Sequence, residues 1–172
     1  MEIIPATLDE ATDIATVHVR SWQRAYRDVL PPDFLCALDP AQRAQGWRRV
    51  LAATNLPGEG ALLARVGEKT VGFVHTCPSR DEDARDASVG EVTSIYVLPQ
   101  AWGRGVGRGL MTAALSQLAA AGYGQATLWV IDSNTRAIAF YEAGGFRADA
   151  ATQVETVGGT SITEVRYRCP LP

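Results

Sequence analysis

Four glycines, Gly103, Gly105, Gly107 and Gly109, fall on alternate positions in LPQAWGRGVGRGLM (98–111), with Arg104 and Arg108 between them. Glycine lets a backbone approach a bulky group closely and tolerates positive φ, and arginine adds positive charge. An apolar, β-branched run precedes this stretch and a helix-like run follows it. A strand, a glycine turn and a helix in that order aim free amides and the positive end of the helix dipole at one point beyond the strand. Such a point suits a phosphate or a pyrophosphate. Two familiar phosphate loops fail on spacing. No lysine lies between 98 and 111, so G-x-x-x-x-G-K-[ST] is absent, and G-x-G-x-x-G read from Gly103 ends on Arg108, or from Gly105 on Leu110. Asp132, at the end of a later strand, could imitate a ribose-binding acid, so dinucleotide binding stays open on the residues alone.

The elements that must carry this turn are legible around it. Residues 2 to 6 read as a short strand, and Thr7-x-x-Glu10 has the form of a capping box that starts a helix. Ile14, Val17, Ser21 or Trp22, Ala25 and Val29 recur at near-helical spacing until Pro31-Pro32 stop the pattern. Residues 33 to 53 predict one short and one longer helix divided near Pro40, and Asn55 to Gly60 a turn. ALLARVGEKTVGFVHTC predicts a hairpin turning at Gly67-Glu68-Lys69, followed by a polar loop at 78–88. A strand at 89–99 leads into the glycine turn, then a helix from Val106 to Ala121 and a buried strand at 126–132. A helix from Asn134 to Ala143 and two strands turning at Gly158-Gly159 complete the chain.

With 172 residues, 47% of them apolar and 20% charged, the chain fits one mixed α/β domain over 1–172 with a sizeable core. A net charge of −3 provides no global basic field, so neither nucleic acid nor an anionic membrane is expected as a partner. The apolar stretches stop well short of the roughly 18 residues a membrane span needs, and MEIIPATLDE has no signal-peptide pattern. A soluble, cytoplasmic protein is expected. Cys36, Cys77 and Cys169 are an odd count at unrelated spacings and read as reduced packing residues. His18 and His75 are too few and too far apart to suggest a metal site, and none is expected.

Gln100-x-x-Gly103-x-Gly105 fits a third turn, [QR]-x-x-G-x-[GA], and here the chain resembles the GNAT superfamily of acyl-CoA-dependent N-acyltransferases. SIYVLPQAWGRGVGRGLM is similar to the central motif of that family, and IDSNTRAIAFYEAGGF to the next, with Asn134, Tyr141 and Gly145-Phe146 in register. HVRSWQRAYRDVLPPDFL is similar, less specifically, to its first two helices. The resemblance implies a mixed, mostly antiparallel sheet of about seven strands flanked by helices, whose parallel fourth and fifth strands splay to admit a pantetheine arm. It implies acetyl-CoA as acyl-donor cosubstrate. The backbone of Ile95, Tyr96 and Val97 would pair with the arm as an added strand. The amides of Gly103, Arg104, Gly105, Val106, Gly107 and Arg108, in the turn opened by Gln100, would hold the pyrophosphate. Asn134 would bond the arm near its thiol end, cap a helix, or do both.

Acyl transfer to an amine needs a neutral nucleophile, a stabilised oxyanion and a proton for the departing thiolate. The resemblance places Tyr141 as the acid and a fourth-strand amide, that of Val97, at the oxyanion. Trp129 stands at the fifth-strand position from which some members draw a base, and an indole accepts no proton. Glu91 is the candidate base, directly or through water, with an edge salt bridge as the competing reading. No G-x-S-x-G occurs and no cysteine lies in either motif, so direct attack in a ternary complex is expected. Trp22, Tyr26 and Trp47 could wall an acceptor pocket or pack in a core. Asp81, Glu82, Asp83 and Asp86 could draw in a cationic amine or form a solvated face. The expected activity is acetylation of a primary amine on a small molecule. A peptide or protein amine, and a non-catalytic acyl-CoA-binding module, are the alternatives. The residues leave oligomeric state open, a homodimer included.

Overall fold

A computed structural model describes residues 1–54, 57–84 and 88–171. The chain begins with β1 (Glu2–Pro5), and the capping box forms as its spacing predicts: the Thr7 hydroxyl accepts from the Asp9 amide while Glu10 Oε2 accepts from the Thr7 amide at 2.7 Å. A single 3-10 turn then leads into α1 (Ala11–Ala25). The helical pattern was expected to run to Val29, but α1 ends at Ala25. The amides of Val29 and Leu30 both close on the Tyr26 carbonyl, and this tight turn sends Leu30 into a small core with Leu35, Ile131 and Ile162. Helices α2 (Pro32–Ala37) and α3 (Pro40–Ala53) each start on a proline, whose missing amide costs nothing at a helix N-terminus. The turn expected at 55–60 includes Asn55 and Leu56, which lie outside the described residues.

The hairpin β2 (Gly60–Val66) and β3 (Lys69–Pro78) follows, then β4 (Val89–Val97), α4 (Val106–Ala120), β5 (Gln125–Ile131), α5 (Thr135–Ala143), β6 (Arg147–Val157) and β7 (Thr160–Pro170). The 78–88 segment is not all loop, since Glu82–Ala84 make a 3-10 turn; residues 85–87 lie outside the description. The strands form one seven-stranded sheet in the order β1-β2-β3-β4-β5-β7-β6, antiparallel everywhere except between β4 and β5.

Period-two alternation divides the strands between two cores. Leu62, Ala64, Val74 and Val92 face Leu110, Met111, Ala114 and Leu118 of α4, whereas Ala61, Leu63 and Phe73 face Ile14, Val17 and Trp47 of α1 and α3. The feature that positions the site lies at the middle of the sheet. β4 and β5 pair only at Val89↔Gln125, Gly90↔Ala126 and Glu91↔Thr127. Immediately beyond, the β3–β4 register passes from Thr76↔Val92 to His75↔Ser94, which leaves Thr93 as an extra residue in β4. A bulge bends the strand that carries it, and here it turns β4 away from β5.

Candidate active site

The parted strands open a cleft of about 880 Å³ lined by the far half of β4, the glycine turn, the starts of α4 and α5, the end of α1, and β5, β6 and β7. At its β4 wall the Leu98 amide donates to the Val71 carbonyl, on the β3 side, at 2.8 Å. Main-chain groups alternate along a strand, so those of Val97 and Ile95 face the gap while those of Tyr96 face β3. Sequence reasoning expected all three backbones to serve an added strand; Tyr96 instead lines the cleft with its ring. The Val97 carbonyl is also spoken for, accepting from Trp102 Nε1 at 2.7 Å and from the Ser21 hydroxyl at 3.2 Å.

In the glycine turn, Gly103 and Gly105 have φ of 72° and 79°, in the left-handed region. A Cβ built on either would touch no protein atom, so the shape of the turn, not crowding by its own chain, demands glycine there. Gly107 differs: it lies within α4, and a Cβ would stand 3.4 Å from the Phe140 ring, which makes it a packing glycine against α5. No side chain caps α4, and its first internal bond runs from the Gly109 amide to the Gly105 carbonyl. The amides of Val106, Gly107 and Arg108 therefore have no acceptor within the helix, and all three residues line the cleft. Gln100 and the side chain of Arg104 are exposed and stand outside its lining. Two other arginines take up this end, with the Arg136 guanidinium 3.6 Å over the Trp102 ring and that of Arg24 5.9 Å from it. Sequence reading passed over these three residues, because only the fold brings α1, the turn and α5 together. Asn134 caps α5 through Oδ1, which accepts from the Ala137 amide at 3.2 Å, and it lines the cleft as well.

The opposite wing is aromatic. Trp22 and Tyr26 meet edge to face at 5.1 Å, and Tyr96 stacks on His18 at 4.9 Å. Trp47 is excluded from this wall. It is buried in the α1–α3 core and donates to His18 Nδ1 at 3.1 Å, which leaves Nε2 to carry the proton of the neutral ring. Burial, reinforced by Arg43, pushes the His18 pKa down to about 3. Tyr141 lies against the rings of Phe140 and Phe146, and burial holds its phenol well above the ordinary range, as it does for Tyr26 and Tyr96. All three phenols are protonated at neutral pH.

Glu91, Asp81 and Asp83 are engaged in ion pairs, which for Glu91 is the competing reading of the sequence. Glu91 is 2% exposed, and Arg80 binds both its carboxylate oxygens: the Arg80 amide and Nε reach Oε2 at 3.2 and 3.0 Å, and Nη2 reaches Oε1. A carboxylate held on both oxygens by a guanidinium presents that side chain, and not an incoming amine, with its lone pairs. Asp81 and Asp83 are both bound by Arg166 of β7, whose side chain is 7% exposed and also binds Asp149; Asp81 is largely covered, while Asp83 stays more than half exposed. Asp81 further accepts from Trp129 Nε1 at 3.1 Å. Asp86 lies outside the described residues. The carboxylate that does face the aromatic wing is Glu164 of β7, half-buried, with Oε2 accepting from Gln153 Nε2 at 2.7 Å. Burial raises its pKa. No motif marks Glu164; its only sequence cue is that it shares a strand face with Ile162.

A seven-stranded sheet parted between parallel β4 and β5, beside a glycine turn that opens a helix, is the architecture of the acyl-CoA N-acetyltransferases. Residues 19–146 match the model of the Acetyltransferase (GNAT) family. The uncharacterized N-acetyltransferase YuaI of Bacillus subtilis (strain 168) is 30% identical over 166 residues, covering 96% of this chain and 90% of that one. A mycothiol acetyltransferase of Thermobispora bispora is 37% identical over 87 residues, which are 51% of this chain and 30% of that protein. Among solved structures, yncA of Salmonella typhimurium with its cofactor acetyl-CoA superposes with a TM-score of 0.73 at 18% identity, covering 100% of this chain and 94% of that one. The chain belongs to the GNAT family of acetyltransferases.

Proposed function

We propose that the chain forms a single catalytic domain that transfers the acetyl group of acetyl-CoA to a primary amine of a small molecule, by direct attack in a ternary complex. One observation carries this reading: β4 and β5 separate after three rungs, and the gap runs from uncapped helix amides at one end to an aromatic-lined wing at the other. In this reading the amides around Gly105 hold the pyrophosphate and the main chain of Ile95 holds the pantetheine arm through both its groups. The Val97 amide meets the oxyanion, and the side-chain nitrogen of Asn134, which the cap does not use, reaches the arm. Tyr141 protonates the departing thiolate; burial keeps its phenol protonated at neutral pH, so a proton is in place when the C–S bond breaks. Glu91 acts by anchoring Arg80 at the root of the splay. The acceptor reading as a small amine rests on the apolar lining of the far wing by Trp22, Tyr26, Leu30 and Ile162. Burial raises the Cys77 and Cys169 thiols, to about 12 and about 11, and Cys36 lies away from the cleft lining, so no cysteine is poised for a covalent route.

Release of CoA thiol from acetyl-CoA across a panel of primary amines tests the proposal. Turnover with at least one amine is expected. Stabilisation by CoA with no thiol release for any amine would instead favour a binding module.

A further inference from the structure

Removal of the amine proton has no holder in the account above, because Arg80 occupies both oxygens of Glu91. Resting on the acetyltransferase reading, we infer that Glu164 binds the incoming substrate as an ammonium ion and takes its proton, with the aromatic wing of Trp22, Tyr26 and Tyr96 enclosing the carbon skeleton. Glu164 projects from β7 into the same cleft as these rings. Gln153, its cross-strand partner on β6, fixes Oε2 and leaves Oε1 out of that bond. The charged and titratable groups around it are Glu155 on β6, Arg80 and Glu91 across the root of the cleft, and the phenols of Tyr26 and Tyr96. Tyr26 and Tyr96 are also the neighbours of Tyr141, so the proton acceptor and the thiolate's acid flank one tyrosine pair.

The charge distribution along the cleft agrees. Arg24, Arg108 and Arg136 gather at the turn end, which suits phosphates, whereas Glu155 and Glu164 stand at the far end, which suits a cation. Burial raises the carboxyl of Glu164, and the same aromatic surroundings lower the pKa of an ammonium, so the gap between donor and acceptor narrows from both sides.

One ammonium proton passes to Glu164, and the freed lone pair attacks the thioester carbon. The C–N bond forms, the C–S bond breaks, and the thiolate takes the Tyr141 proton. The nitrogen's second proton restores the phenol, while Glu164 releases its own to solvent.

The test compares wild type with Glu164→Gln, whose amide oxygen still accepts from Gln153, using acetyl-CoA with tyramine, benzylamine, putrescine and glycinamide, and measures CoA affinity in parallel. Glu164→Gln is expected to bind CoA as wild type does and to lose about 10²-fold or more in kcat. The rise of its kcat/KM with pH should move up toward the ionisation of the free amine, since only the neutral amine can then react. Glu164→Asp should keep the wild-type limb at reduced rate, and it carries the comparison if the glutamine variant no longer binds CoA. A wild type that acetylates an amine while Glu164→Gln matches it within about threefold, or loses rate with an unmoved pH profile, overturns this inference and leaves the acetyltransferase reading standing. A wild type that binds CoA and acetylates none of the four overturns the parent reading, and this one with it.

Discussion

Replacing Gly105 with alanine separates the conformational demand of the glycine turn from its demand for space. At φ 79° an L-residue pays roughly 1–2 kcal/mol for the left-handed region. The added methyl meets no protein atom, so no steric cost is added within the protein itself. For a chain of this length each kcal/mol moves Tm by about 2–4 °C, which predicts a fall of about 2–8 °C without ligand. Ligand dependence is where the variant should suffer most, because the new methyl stands where the pyrophosphate is proposed to sit. CoA at a hundred times its Kd stabilises wild type by about 2.7 kcal/mol; a hundredfold loss of affinity would cut that contribution to about 0.4 kcal/mol at the same concentration. Differential scanning fluorimetry with and without CoA reads both quantities. A variant with the predicted fall in Tm but the full CoA-induced rise would refute the assignment of the pyrophosphate to this turn. Gly107→Ala, at an ordinary helical φ and 3.4 Å from Phe140, should lose far less CoA response than Gly105→Ala.

Three further outcomes are expected. Tyr141→Phe should keep CoA affinity and lose about 10²-fold or more in kcat for thiol release, so unchanged turnover would remove the proposed acid. His18 is held neutral in the fold by burial, with a pKa of about 3 against 6.5 when exposed, so its contribution to stability is whole above pH 6.5 and is lost as pH falls below it. His18→Gln keeps an acceptor for Trp47; its stability difference from wild type, followed by chemical denaturation, should change by about 1.4 kcal/mol per pH unit between pH 6 and 4. Arg166→Met leaves Asp81 and Asp149 without their shared cation and should cost about 3–5 kcal/mol, with faster proteolysis of the 78–84 segment; Asp83, more than half exposed, should contribute little of that.

The elements around the glycine turn were readable because each obeys a local rule: a capping box at Thr7, prolines at the starts of α2 and α3, alternation through β2 to β4, and Asn134 at the head of α5. The turn itself was readable because a backbone site demands residues that allow its conformation, and these are consecutive in the chain. Side-chain partnerships were not. Glu91 and Arg80 are separated by a loop, Arg166 gathers carboxylates from up to 85 positions away, and Trp102 meets arginines from α1 and α5. Nothing in the local pattern of these residues specifies their neighbours. The same limit hid Glu164, an acid in an alternating strand whose cleft-facing side depends on where β7 inserts between β5 and β6.

Among the described residues three ladder rungs join the block β1–β4 to the block β5–β7, whereas every other adjacent pair of strands is laced along a longer run. Mechanically the sheet is two plates riveted at one corner, and the corner is pinned by Glu91 and Thr127. An arm threaded along β4 would supply the missing lacing on that side, so occupancy of the cleft and stiffness of the whole sheet become the same variable. Amide hydrogens of β5, remote from the glycine turn, should then exchange more slowly when CoA is present.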